Sequence, residues 1–391
     1  MAKGINNAEV VIIGAGPAGL STAKFLADSG IKTLVLEKST KVGVRNFFSG
    51  VIEKEIIEDV FGKITDEKNE KYYAPIERKL TEYRAYLLSK DSFIAVNERK
   101  NLKPRFTVLN EAFNNWISKQ AQSSGAKVML GTIAEELIIN NSKICGVKTN
   151  AGDFYSNVVV VAEGVNSLLA KKSGLRKGEI SPEQVFLFAE ETIELHADII
   201  HERFNINEKE GVAIRLFTEE LVSLPSTGYL HTNKNSITLG IGILFSESLS
   251  KGININQCLE LLKKHPGIYP LIKNGTTIHY SSYILPFHTE EKSPCSTVKK
   301  YEHNCLVTGS ASLLVDAFRC DISSNAVLAG KLAGETIIRA KDLNDYSKKT
   351  LSEYETLLKK HLEISSYKGI NSEKDTSAND LSLFLSKEKS G

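Results

Sequence analysis

Cysteine is scarce in this chain of 391 residues: five occur, at positions 145, 258, 295, 305 and 320, odd in number and far apart. Without a C-x-x-C spacing the sequence offers no disulfide framework, zinc knuckle or iron–sulfur cluster, no metal site is expected, and each thiol reads as structural. Long apolar runs are lacking as well. No stretch reaches the roughly 20 residues that cross a bilayer, and Val10–Gly14 is too short for a signal peptide and leads straight into glycines. The expected location is the cytoplasm, with peripheral membrane contact at most and no transmembrane segment. Nor does charge of one sign predominate. The 49 Lys and Arg against 47 Asp and Glu leave +2, which removes the electrostatic case for nucleic acid. The rest of the composition, 41% hydrophobic and 25% charged, is that of a globular protein large enough for two packed domains.

The first positive signal is VVIIGAGPAGL, Val10 to Leu20. An apolar strand, Val10–Ile13, meets a helix over Ala18–Ser29 with Leu20, Ala23, Leu26 and Ala27 on one side; Gly30 ends it, and Lys32–Glu37 reads as the next strand. Gly14 permits the tight turn, Gly16 lets backbone approach a pyrophosphate, and Gly19 lets helix and strand pack closely. Pro17 and Ala18 open the helix, whose free N–H groups face phosphate oxygens. Glu37 closes the second strand, where a carboxylate binds ribose hydroxyls and repels a 2′-phosphate; Lys38 stands beside it. FAD and NAD share this fingerprint, so either stands at this point. No second GxGxxG is present to hold another dinucleotide.

Further along, the pattern predicts a helix over Val51–Phe61, a hairpin over Thr81–Glu98, a helix over Leu109–Ser124 and strands at Lys127–Leu130 and Val158–Ala162. From about Lys177 longer alternating strands follow, such as Gln184–Leu195 and Ser236–Leu244, with a helix over Gln257–His265. Long helices are expected over Ile322–Lys341 and Ser347–His361.

Three stretches then resemble one family. VVVVAEGVNSLLAKKSGL (Val158–Leu175) is similar to the A-D-G-x-N-S segment of geranylgeranyl reductases and the FixC group, which includes the flavin part of electron-transfer-flavoprotein:quinone oxidoreductases. VGVRNFFSG (Val42–Gly50) resembles the group's G-x-K-N-x-x-G-G turn near the flavin, and GYLHTNKNSITLGIGILF (Gly228–Phe245) resembles its substrate-domain strands. The likeness runs from about Glu9 to Asp345. It implies an α/β fold, with a three-layer Rossmann-type FAD-binding domain over 1–176 and 299–345. An inserted, mainly antiparallel β-sheet substrate domain occupies 177–298, the hairpin 81–98 lies on its side, and a C-terminal helix and mobile tail fill 346–391. It further implies FAD as cofactor and an FAD-dependent oxidoreductase acting on a hydrophobic or carrier-bound small molecule, by dehydrogenation, reduction or hydroxylation at carbon. A ferredoxin, an electron-transfer flavoprotein or a carrier protein would be the partner.

Carried across singly, Gly14, Gly16, Pro17, Ala18, Gly19, Glu37 and Lys38 match the ADP half. Arg45 and Asn46 stand for Lys-Asn near the flavin, Glu163-Gly164 for Asp-Gly, and Gly309-Ser310 in CLVTGSAS for the Gly-Asp of G-D-A-A. Serine there is shorter and uncharged. DAFRCDISS (Asp316–Ser324), LPSTGY (Leu224–Tyr229) and LPFHTE (Leu285–Glu290) carry side chains where relatives have glycine, and Asn110 replaces an arginine. These departures gather at the flavin's ring end, and two accounts fit them. In the preferred one FAD binds through its ADP half and the ring pocket is reshaped for an unusual substrate. In the other, Phe287, His288, Phe318 and Arg319 fill the ring's place, and the fold serves non-redox catalysis or binding. On the first account His288 and Arg319 are the catalytic candidates, and Tyr229, His231, Tyr283 and Phe318 line the substrate, core packing being the competing role of the tyrosines. A third possibility is a flavin monooxygenase or cyclase of a biosynthetic pathway.

Overall fold

A computed structural model describes residues 8–43, 50–66, 73–98, 103–224, 226–286, 294–313 and 322–366. The first half of the fold is a six-stranded sheet in the order Tyr301–Glu302, Cys305–Val307, Val158–Val161, Val10–Ile13, Thr33–Leu36, Lys127–Met129. All pairs are parallel except the Tyr301–Glu302 edge. Both faces of the sheet are covered at its centre, so Val10–Ile13 and Val158–Val161 are apolar throughout rather than alternating. Val10 and Ile12 face a helical layer that includes Leu20, Ile117 and Leu332. Val11 and Ile13 face the other way, against Leu137, Val147 and Phe154 of a three-stranded antiparallel meander, Ala134–Asn140, Lys143–Thr149 and Gly152–Tyr155.

The opening helix, Pro17–Asp28, and the long helix Ile322–Asp342 lie against one another closely enough to need glycine. A Cβ on Gly330 would stand 2.3 Å from the Ala18 carbonyl oxygen, and one on Gly334 would stand 2.8 Å from the Phe25 ring. The Thr22 hydroxyl donates to the Gly330 carbonyl at 2.9 Å across the same seam.

The second half is a larger sheet, ordered Thr276–Pro286, Val185–Glu194, Ser236–Leu244, Ser226–Thr232, Glu210–Thr218, Ile76–Leu88, Arg105–Val108, Val51–Glu53, with Phe93–Glu98 paired to Ile76–Leu88. Its pairs are antiparallel apart from Glu210–Thr218 beside Ile76–Leu88. One face packs Ile214, Leu216, Leu239 and Ile241 against Ile200 and Phe204 of the helix Ala197–Phe204 and Leu259 and Leu262 of the helix Ile255–Lys264. The opposite face carries a different set of side chains and meets Ile322, the first residue of the long helix.

Two expected helices are divided. Val51–Glu53 is a strand drawn into the larger sheet by pairing with Arg105–Thr107, and only Lys54–Phe61 is helical. Ser347–His361 resolves into Lys348–Leu351 and Glu353–Ser366. The meander and the Ala197–Phe204 helix were not expected. The described stretch closest to the inferred tail ends at 366, and residues 368–391 lie outside it.

Candidate functional site

Three backbone turns converge at the carboxyl ends of the parallel strands, where open α/β sheets place their ligands. The first is the glycine turn. Gly14 sits at φ +106°, and a Cβ there would be 2.3 Å from the Ala162 carbonyl oxygen; a Cβ on Gly19 would be 2.1 Å from the Gly14 carbonyl oxygen. Gly16 caps the opening helix with no side-chain hydrogen bond, Pro17 is its first residue, and its first turn holds no acidic side chain. Its N–H groups are thus left for an anion. The Glu37 carboxylate accepts from the Ala15 amide (2.9 Å) and the Ser39 amide (2.8 Å), which fixes it at the turn's edge.

The second turn follows Val158–Val161. The Glu163 carboxylate accepts the Leu169 and Ala170 amides at 3.0 and 2.8 Å, capping the short helix Leu168–Lys172. Burial raises its affinity for a proton, while those two amides and the charge of Lys38 work the other way. Gly164 has φ +85° and open space around it. The third turn, Gly309–Ser312, rests on the opening helix: Gly309, at φ +61°, would place a Cβ 2.6 Å from the Ala18 Cβ. The buried Ser167 hydroxyl joins the second and third turns by donating to the carbonyls of Gly164 (2.8 Å) and Ala311 (3.0 Å). From the C-terminal helix, Tyr354 donates to the Thr308 hydroxyl at 2.8 Å, just ahead of Gly309. Ser310 is half-buried at this turn. The side-chain-free approach at Gly14 and Gly19, the uncapped helix end and the anchored Glu37 fit the ADP portion of FAD.

The face of the larger sheet that meets Ile322 holds an aromatic layer. Phe186, Phe188, Tyr229 and Leu285 are buried there, with Leu244 and Tyr283 against them. The sequence gives room for it at two glycines. Gly242 lies opposite Phe188, and Gly240 opposite both Glu190 and Tyr229. A Cβ on Gly242 would be 2.4 Å from the Phe188 ring, and one on Gly240 would be 2.5 Å from the Tyr229 ring. Glycine inside a strand commonly marks such close approach. The Tyr283 ring stacks on Phe188, centroids 5.4 Å apart and planes 9° apart. Tyr229 donates a short hydrogen bond to Glu190, and its oxygen is 2.7 Å from that of Tyr283. Desolvation pushes the Glu190 carboxyl up to about 7 and the Tyr229 phenol well above its usual range. His231 stacks on Tyr229, is held neutral by burial with its proton affinity lowered to about 3, and leaves Nε2 without a partner. That nitrogen would be 3.2 Å from a Cβ on Gly50.

The structure thus brings Tyr229, His231 and Tyr283 together and adds Glu190, which sequence reasoning passed over. The signal was available in Gly240-x-Gly242 beside the alternation Phe186, Phe188, Glu190. Tyr280, on the same strand as Tyr283, points to the other face and donates to Asn256. Arg45, Asn46, Phe287, His288, Phe318, Arg319 and Cys320 lie outside the described residues. Among the described residues no His, Cys, Asp and Glu cluster suits a metal ion, and no helix is long and apolar enough to cross a membrane.

The chain is similar to known proteins. A sequence family described as FAD binding domain matches residues 7–215. The protein FixC of Azorhizobium caulinodans is 31% identical over 359 residues, 90% of this chain and 80% of its own. FixC of Escherichia coli K12 is 28% identical over 91% of this chain and 81% of its own. Among solved structures, a geranylgeranyl bacteriochlorophyll reductase-like protein from Thermoplasma acidophilum superposes with a TM-score of 0.75 at 20% identity, over 92% of this chain and 84% of its own. The halogenase PltM in complex with phloroglucinol and FAD gives 0.66 at 15% identity, over 89% and 72%.

Proposed function

The chain belongs to the FAD-binding domain family and, with FixC, to its FAD-dependent oxidoreductases, and on that premise we propose that its substrate is a hydrophobic or carrier-bound small molecule held on the aromatic face of the larger sheet. The observation that carries this reading is the layer of Phe186, Phe188, Tyr229, Tyr283 and Leu285 with one buried carboxyl, Glu190, set into it. Ligand sites combine a mostly apolar lining with a few fixed polar groups in this way. Bound FAD supplies the two-electron chemistry at carbon. The protein's part is to seat the ADP half on Gly14, Gly16, Gly19 and Glu37, with Gly309 and Ser310 beyond, and to hold the substrate on the aromatic layer. An electron-transfer flavoprotein or a ferredoxin exchanges the electrons.

Flavin difference spectra of the FAD-loaded protein test the substrate reading, with a polyprenyl alcohol and a naphthol as probes. Saturable binding is expected, weakened about tenfold in Phe188→Leu, a change on the order of 1.4 kcal/mol, while FAD content stays the same. Equal binding by the variant, or no response to either probe, would remove the aromatic face from consideration.

At the other end of the cofactor, Ser310→Asp restores a charged acceptor where the family carries one. FAD is expected to bind about tenfold more tightly, the size of one charge-assisted hydrogen bond, read by titrating flavin fluorescence into the FAD-free protein. Unchanged or weaker affinity would mean that the turn no longer borders the ribityl chain.

A further inference from the structure

We propose that Glu190, Tyr229 and Tyr283 form a relay that moves one proton between a buried store, Glu190, and the ligand side of the larger sheet. The proposal rests on the reading that this face receives the ligand.

The three residues come from three strands. Tyr229 lies two strands from Glu190 and reaches it only because the intervening residue, in register with both, is Gly240. Any side chain there would displace the Tyr229 ring, whose atoms stand 2.5–2.9 Å from a Cβ at that position. Tyr283, on the outermost strand, is paired with Phe188 and brings its oxygen to 2.7 Å from that of Tyr229. The result is a carboxyl, a phenol and a second phenol in line, walled by Phe186 and Phe188.

A network serving structure alone would satisfy its polar atoms. Here buried atoms in register with the chain are left over. Ser281, the register partner of Glu190, is 4% exposed and its hydroxyl has no partner; His231 is 2% exposed and its Nε2 has none. Buried polar atoms of this kind mark where a water or a polar ligand atom belongs. Burial also brings Glu190 to about 7, so both of its protonation states are accessible near neutrality. Among the described residues the other titratable or charged groups on this face include His231 beside Tyr229, His279 on the strand of Tyr283, Arg215 paired with Tyr229, and Tyr83, which shares the register of Ala213 and His231. The first turn of the long helix brings no acidic side chain to it.

The hydrogen-bond chain has two senses. With Glu190 ionised, Tyr283 donates to Tyr229 and Tyr229 donates to the carboxylate. With Glu190 protonated, the carboxyl donates to Tyr229, Tyr229 donates to Tyr283, and the Tyr283 proton turns outward. Passage from the second to the first breaks one O–H bond and forms one at each phenol oxygen. The carboxyl loses a proton, a base on the ligand side gains one, and no electron leaves the chain.

Infrared spectroscopy of the FAD-loaded protein tests this without any substrate, with electrochemical reduction of the bound FAD as the probe that draws a proton. Wild type is expected to show a protonated-carboxyl band that titrates near pH 7 and changes on reduction; Glu190→Gln is expected to lack it. In Tyr229→Phe the band should remain, titrate at higher pH because the carboxylate has lost its donor, and respond to reduction at least tenfold more slowly. A band unaltered by Glu190→Gln, or an unslowed response in Tyr229→Phe, overturns the relay. Should Glu190→Gln fail to fold, Tyr229→Phe decides alone. Because no substrate is present, the relay and the ligand reading fail by different measurements: the infrared response for one, the probe difference spectra for the other.

Discussion

Gly19→Ala is expected to yield colourless protein. The added methyl carbon would stand 2.1 Å from the carbonyl oxygen of Gly14, a backbone atom with nowhere to go. Gly14 is itself confined, because a Cβ at that position would lie 2.3 Å from the Ala162 carbonyl oxygen of the neighbouring strand segment, and its φ of +106° suits glycine alone. The opening helix must therefore tilt away from the turn. Overpacking of this order costs about 1–3 kcal/mol or more. The larger loss is geometric, since the pyrophosphate seat is made by the distance between that turn and the helix end. FAD affinity should fall by at least about a hundredfold, equivalent to roughly 3 kcal/mol, measured as flavin absorbance per protein and by titration of added FAD. A yellow variant with wild-type affinity would show that the pyrophosphate sits elsewhere.

Arg78→Met should be the most destabilising change in the larger sheet. The Arg78 side chain is 2% exposed, and its guanidinium is held by main-chain oxygens. Its Nε donates to the Asn233 carbonyl at 2.6 Å; its two terminal nitrogens donate to the carbonyls of Asn207, Glu208, Glu210 and Lys234 at 3.0–3.2 Å, and one also meets His201 Nε2 at 3.1 Å. One side chain thus closes the hairpin turn after Ser226–Thr232 and the approach to Glu210–Thr218. Methionine fills similar space and takes the guanidinium donors away from all five carbonyls, of which Asn207 keeps the Glu210 amide. Breaking a buried charged network by removing one member costs about 3–5 kcal/mol, and the melting temperature should fall by roughly 5–10 °C. Arg78→Lys should recover only part of it, because an ammonium cannot span the same fork of acceptors. Thermal unfolding of the FAD-loaded protein checks both, and a melting point unchanged in Arg78→Met would contradict the network.

What could be read in advance follows from how local each constraint is. Gly14, Gly19 and Glu37 were legible because a turn, a close approach and a strand end each demand a residue type within thirty positions. The apolar strands Val10–Ile13 and Val158–Val161 were legible because they are covered on both faces. The meander was not, since Leu137 is the fully buried residue of its first strand and the others there leave no alternation to find. Val51–Glu53 resembled the start of its helix because its partner, Arg105–Val108, lies fifty residues on. Glu190 was missed for a similar reason. It stands next to Glu191, and only the pairing with Gly240 decides which of the two carboxyls faces the aromatic layer and which meets Lys263.

The parallel pairing of Ile76–Leu88 with Glu210–Thr218 has a consequence for biosynthesis. Thr81 and Gly211, joined across it by a hydrogen bond, are 130 residues apart. On the ribosome the earlier strand therefore emerges long before its neighbour exists. Contacts of such separation form slowly, and an unpaired strand edge invites association with other chains. The nascent protein carries that exposed edge until more than half of it has been translated, which makes it a natural client for chaperones. Fragments ending near residue 176 should aggregate rather than fold.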